Sequence, residues 1–130
     1  MLILTIRSDR PDAEIGLFDG DVQLDYEVWP AHRVLAETIH AKIEALLSAR
    51  NKTLQNLEGI AVFKGPGSFT GLRIGLTVAN ALAESLRLPI VASDGDDWAA
   101  DGVARLLAGQ DDKLTVPEYG ALPNITAPRK

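Results

Sequence analysis

Residues 63–83 read FKGPGSFTGLRIGLTVANALA, a glycine-rich turn that runs straight into an amphipathic helix. Gly65, Gly67 and Gly71 lie close together, a spacing that signals tight turning or close approach of another segment. Pro66 stiffens the turn. Ser68 and Thr70 are both N-cap residue types for the helix that follows. Along that helix Gly71, Gly75 and Ala79 recur every fourth residue and so share one face. A glycine inside a helix costs about 1 kcal/mol relative to alanine. The stripe therefore predicts a close neighbour, either within the chain or on another polypeptide.

Upstream, Gly59 to Phe63 is short and continuously apolar, the pattern of a central strand covered on both sides. Leu2 to Arg7 and Glu14 to Phe18 read as strands. Asp19-Gly20 signals a hairpin into a third strand, Asp21 to Trp29. Three consecutive antiparallel strands are expected, and Pro30 ends them. From Ala31 to Ala49 the period changes: Val34, Leu35, Ile39, Ile43, Leu46 and Leu47 keep helical spacing. Asn51 to Leu57 is a polar connection. Downstream, the glycine-bearing helix runs to about Leu86, and Pro89 to Ala92 is another short strand. The predicted order is βββαβαβ over residues 1–93.

At Ser93 the composition shifts, and Ser93 to Gly102 holds four aspartates, two glycines and Trp98. Val103 to Ala108 predicts one or two helical turns. Leu114 to Lys130 contains three prolines and reads as an extended tail, with an edge strand near Thr115. Residues 94–130 are thus expected to be a short loop and helix followed by that tail.

The chain has 130 residues, 46% of them apolar, with a net charge of -5. That suits one domain with one core. The acidic balance argues against autonomous nucleic-acid binding, which needs a basic face. Without cysteine there is no disulfide, thiol chemistry or cysteine metal site. The N-terminal apolar run is too short for a signal peptide, and no run is long enough to span a membrane. A cytoplasmic protein is expected.

The run GPGSFTGLRIG, Gly65 to Gly75, resembles the hallmark of the TsaB (YeaZ) family, partner proteins in bacterial tRNA threonylcarbamoyladenosine synthesis. The resemblance extends back through AHRVLAETIHAKIEALL and IAVFKG, forward through GLTVANALAESLRLPIVAS, and into the tail VPEYGALPNITAPRK. It implies an α/β fold, one lobe of the actin, sugar kinase and Hsp70 architecture, which is ribonuclease H-like. Such proteins have two lobes; this chain has room for one. Nucleotide-handling members of the fold carry an acid after the first strand, where magnesium would be held. Arg7 stands there instead, and Asp9 is out of register.

The resemblance implies an accessory subunit, not an enzyme, that pairs through its two helices with a TsaD-like catalytic subunit or with a second copy. A TsaE-like ATPase would join through the complex. Two helices on one small sheet cannot bury all their apolar residues, so an exposed patch is expected. The expected interface comprises Leu35, Ile39, Ile43 and Leu46 on the first helix and Gly71, Leu72, Arg73, Gly75, Leu76 and Ala79 on the second. No cofactor or metal is expected.

The competing reading is a small phosphotransferase or hydrolase holding phosphate at the turn Gly65, Gly67 and Ser68. The turn lacks the lysine of a P-loop and the distant acid of a dinucleotide site. Ser68 and Thr70 have no evident base partner and read as caps. His32 and His40 stand eight residues apart on a helix with no clustered ligand, and Asp94, Asp96, Asp97 and Asp101 lack EF-hand spacing. No catalytic residue is assigned.

Overall fold

In a computed structural model, five strands form one mixed sheet in the order β3-β2-β1-β4-β5. The structure describes residues 1–67, 69–113 and 115, so Ser68, Leu114 and the tail 116–130 lie outside the described residues. The strands are β1 (Leu2–Arg7), β2 (Asp12–Asp19), β3 (Val22–Pro30), β4 (Gly59–Phe63) and β5 (Ile90–Ser93). The helices are α1 (Leu35–Ser48), α2 (Phe69–Leu86) and α3 (Trp98–Leu107). β1, β2 and β3 form the expected antiparallel meander, whereas β4 and β5 run parallel to β1.

The meander turns at Gly20, whose φ of 60° is the left-handed region that glycine enters at little cost. A bulge between Leu17 and Phe18 shifts the register against β3. β4 is buried along its whole length between β1 and β5, as its unbroken apolar run predicts. Both α1 and α2 return against the direction of the parallel strands. They therefore lie parallel to each other on one face of the sheet.

Beneath them lies the main core, built from Leu4, Ile6, Ile15, Leu17, Ile60, Val62 and Ile90 with the inner sides of both helices. α1 is tied to β3 by Trp29 Nε1, which donates to Thr38 Oγ1 at 2.9 Å, and by Lys42 paired with Glu27 at 3.1 Å.

The second face is only half covered. α3 lies over β4 and β5, where Val103 and Leu106 pack on Ile3, Ala61 and Val91. Gly102 permits this, because a Cβ there would stand 2.7 Å from Ala61 Cβ. The expected one or two turns are thus corrected to a helix of 10 residues that begins at Trp98. On the uncovered half, Tyr26 and Val28 of β3 are exposed.

β5 is an edge strand, yet all four of its residues are buried. Its outward backbone groups are satisfied by side chains in place of a sixth strand. Asp111 Oδ1 accepts from Ile90 N–H at 3.1 Å, and Asp112 Oδ2 accepts from Ala92 N–H at 2.9 Å. Asp112 N–H donates to Ile90 C=O at 2.7 Å, and Arg105 donates to Ala92 C=O at 2.8 Å. An ion pair of 2.7 Å joins Arg105 to Asp112 and holds the plug together. Open strand edges invite pairing with other chains, and this one is closed.

The edge strand expected near Thr115 falls on residues that, Thr115 apart, lie outside the described ones. Thr115 itself sits against α2, its N–H donating to Asn80 Oδ1 and its C=O accepting from Asn80 Nδ2, both at 3.0 Å.

Candidate functional site

In open α/β sheets ligands gather at the carboxyl ends of the parallel strands. Here those ends carry Arg7–Asp9 after β1, Lys64–Gly67 after β4 and Asp94–Asp97 after β5. The position is filled by the chain's own side chains. Arg7 grips Asp9 with two bonds, Nε to Oδ1 at 2.7 Å and an Nη to Oδ2 at 3.3 Å. Its guanidinium lies 3.9 Å from the centroid of Phe63, a cation–π contact. Phe63 in turn meets Trp98 edge-on, with centroids 5.9 Å apart. Trp98, Phe63, Arg7 and Asp9 thus form one continuous row from the start of α3 over the end of β4 to the end of β1.

The glycine turn closes on this row. Gly65 has φ of 112°, accessible mainly to glycine. At Gly67 a Cβ would fall 2.4 Å from Asp9 Cβ, so Asp9 occupies the hollow of the turn. Asp9 thus takes up the space beside Gly67, while Ser68, the third residue of the expected phosphate turn, lies outside the described residues. Among the described residues no group of three His, Cys, Asp or Glu side chains is placed to hold a metal ion. Asp101, from the acidic run, accepts a hydrogen bond from Ser93 Oγ at 2.9 Å. Asp94, Asp96 and Asp97 are exposed.

The stripe Gly71, Gly75 and Ala79 requires a correction. It faces inward. A Cβ at Gly75 would stand 2.0 Å from Ser8 Oγ and 2.9 Å from Ser8 Cβ, and Ser8 Oγ donates to Gly71 C=O at 2.7 Å. The neighbour that the glycines admit is therefore the end of β1, within the same chain. Ala79 and Leu72 are 0% exposed, and Leu76, Leu35, Ile39, Ile43 and Leu46 are likewise buried in the main core. Of the residues expected at a partner interface, Arg73 alone is exposed, and Gly71 is half-buried. The reason is geometric: a five-stranded sheet offers enough surface to take one whole side of each helix.

What the helices turn outward is the complementary side. Between them runs a groove of about 520 Å³ lined by Ala36, His40, Thr70, Arg73, Ile74, Thr77 and Val78. Ile74 and Val78 are half-buried and pack by one side on the core, leaving the other side in the groove. Next to it, toward the helix N-termini, a hollow of about 400 Å³ is bordered by Arg33, Thr70, Gly71, Ile74 and residues 8–11.

On the uncovered sheet face Glu14 accepts from Arg10 at 2.6 Å and from the Tyr26 hydroxyl. Partial loss of solvent around the hydroxyl first, and the bond to Glu14 second, push the Tyr26 hydroxyl up to about 12, although the ring as a whole stays exposed.

Sequence reasoning missed the Arg7–Phe63–Trp98 stack and the Asp111–Asp112–Arg105 plug. Both join residues far apart in the chain. Gly102 inside an apolar helical pattern was a usable sign that α3 presses on a neighbour.

A five-stranded mixed sheet with a meander, two parallel helices on one side and a third on the other is one α/β lobe of the actin-like, ribonuclease H-like architecture. A sequence model of the family described as "TsaD: tRNA N6-adenosine threonylcarbamoyltransferase" matches residues 29–94, half of the chain. The Escherichia coli tRNA threonylcarbamoyladenosine biosynthesis protein TsaB is 30% identical over 121 residues, covering 88% of this chain and 52% of that protein. The tRNA N6-adenosine threonylcarbamoyltransferase of Geobacter sulfurreducens is 44% identical over 61 residues, covering 47% of this chain and 18% of that one. Among solved structures, YeaZ from Pseudomonas aeruginosa superposes with a TM-score of 0.63 at 30% identity, covering 72% of this chain and 43% of that one.

The chain belongs to the TsaD/TsaB (YeaZ) family of tRNA threonylcarbamoyladenosine biosynthesis proteins. It spans about half the length of the Escherichia coli relative. No helix among the described residues is long and apolar enough to cross a membrane.

Proposed function

We propose that this chain is an accessory subunit that docks onto a TsaD-like catalytic subunit and supports threonylcarbamoyl transfer to tRNA adenosine, without performing chemistry itself. The observation that carries this reading is the groove along the outer side of α1 and α2. It joins apolar side chains to threonines and one exposed cation, the make-up of a protein-docking surface. The carboxyl ends of the strands support it from the other direction. There Arg7 replaces the acid that would hold magnesium, and Asp9 fills the glycine turn.

Residues 1–93 would supply the docking lobe. Residues 94–113 would complete its second face and seal its edge. A TsaE-like ATPase would meet the assembly through the catalytic subunit.

The test is direct binding to a purified threonylcarbamoyltransferase encoded by the same genome. Thr77 lies in the groove and is exposed, so Thr77→Arg leaves folding intact. Wild type is expected to form a complex and Thr77→Arg to lose it. Equal binding by both, or none by wild type at micromolar concentration, defeats the reading. Titration with ATP and magnesium separates the alternative phosphotransferase, which requires saturable heat; the accessory subunit alone is expected to give none.

A further inference from the structure

The groove between α1 and α2 carries a charge pattern that runs against the rest of the molecule. The chain has 18 acidic against 13 basic residues, yet no carboxylate lines this groove. Its charged member is Arg73, and His40 faces it from α1. Arg73 is exposed and takes part in no ion pair among the described residues. Arg33 stands at the same end, on the adjoining hollow, and it too is exposed and outside every such pair. Arg7, Arg10, Lys42, Arg50 and Arg105 pair with acids of the chain; Lys52, Lys64, Arg87 and Lys113 do not among the described residues, but none of them lines this groove or the adjoining hollow. Because α1 and α2 run parallel, their N-termini share this end, and the two helix dipoles add to its positive potential.

An apolar element laid over the groove would desolvate Arg73 without a counter-charge. That is a large cost for an arginine, whose charge cannot be titrated away. Building on the docking role proposed above, we infer that the partner element filling this groove presents a carboxylate to Arg73, with His40 as a second donor. Apolar contact on Ile74 and Val78 completes the seat. The bidentate geometry of guanidinium and carboxylate then fixes the register in which that element lies.

Four variants decide it, each checked for an unchanged thermal melt and titrated against the same transferase at low and high salt. Arg73→Glu is expected to weaken binding about tenfold or more at low salt and to reverse its salt dependence, because added salt screens the new repulsion between carboxylates. Arg73→Lys retains most of the affinity. Lys52→Glu, an equal change of charge at an exposed residue away from the groove, has little effect. Reversing one partner carboxylate to lysine restores binding to Arg73→Glu.

If Thr77→Arg abolishes binding while Arg73→Glu leaves it unchanged, the carboxylate inference falls and the docking reading stands. If neither variant matters, both fall. If Arg73→Glu acts on self-association alone, the occupant is a second copy and the inference is overturned.

Discussion

Replacing Gly75 by alanine decides by its sign which face of α2 the glycine stripe occupies. An exposed or loosely covered helical glycine gains about 1 kcal/mol when it becomes alanine, because the unfolded chain loses freedom. A new methyl at Gly75 instead lands 2.0 Å from Ser8 Oγ and 2.9 Å from Ser8 Cβ, with Ile6 Cγ2 at 3.6 Å. Rotating the hydroxyl away leaves the Ser8 Cβ contact in place and breaks the bond to Gly71 C=O. The lost bond costs about 1 kcal/mol, and overpacking of this kind adds about 1–3 kcal/mol. Set against the gain of about 1 kcal/mol, the expected net is a loss of about 1–3 kcal/mol. For a domain of this size that lowers the melting temperature by roughly 4 °C or more. Urea unfolding followed by far-ultraviolet circular dichroism measures it, with an unchanged slope as the check on two-state behaviour. Ser8→Gly in the same chain removes the obstructing atoms, so the double variant is expected to recover part of the loss. A Gly75→Ala variant more stable than wild type, with weakened partner binding, would refute inward packing and return the stripe to an interface.

Three further outcomes follow from particular contacts. Arg105→Ala removes both the bond to Ala92 C=O and the ion pair to Asp112, so the β5 edge opens. Concentration-dependent oligomers are expected by analytical ultracentrifugation where wild type shows none of that origin. Arg7→Ala leaves the buried carboxylate of Asp9 without its partner and is expected to cost about 2–4 kcal/mol in chemical unfolding; Arg7→Ala with Asp9→Asn should cost less than the single change. Tyr26 loses its proton less readily folded than unfolded, so its contribution is complete below about pH 10 and fades as pH rises toward about 12. Tyr26→Phe is therefore expected to flatten the alkaline limb of stability against pH, an effect kept small by the exposure of the ring.

The fold was legible because its signals are local. Alternation in β1 and β2, Asp19-Gly20 at the turn, the unbroken apolar run of β4 and the helical period of α1 each follow from a few adjacent residues. The outward groove was not, because the same periodicity admits two faces and only the size of the sheet decides between them. Leu35, Ile39 and Ile43 satisfy a helix that docks outward as well as one that docks inward; five strands beneath them settle the matter. Asp111 and Asp112 read as loop residues, since no pattern along the chain says that a carboxylate will stand in for a strand.

The inward glycines and the proposed docking groove therefore belong to opposite sides of one helix. Gly67 and Gly75 exist so that Asp9 and Ser8, at the end of β1, can reach the turn and the helix. A motif of this kind identifies a family because the lobe cannot be built without it, not because a partner reads it. Arg73 and Thr77 answer to no such internal demand: both are exposed, and neither needs its identity for the fold. If the proposed docking holds, preference among partners can change at those positions while the glycines stay fixed. It follows that exchanging the outward residues of α1 and α2 between two family members should transfer partner choice without transferring stability. Exchanging the glycine turn should do the reverse.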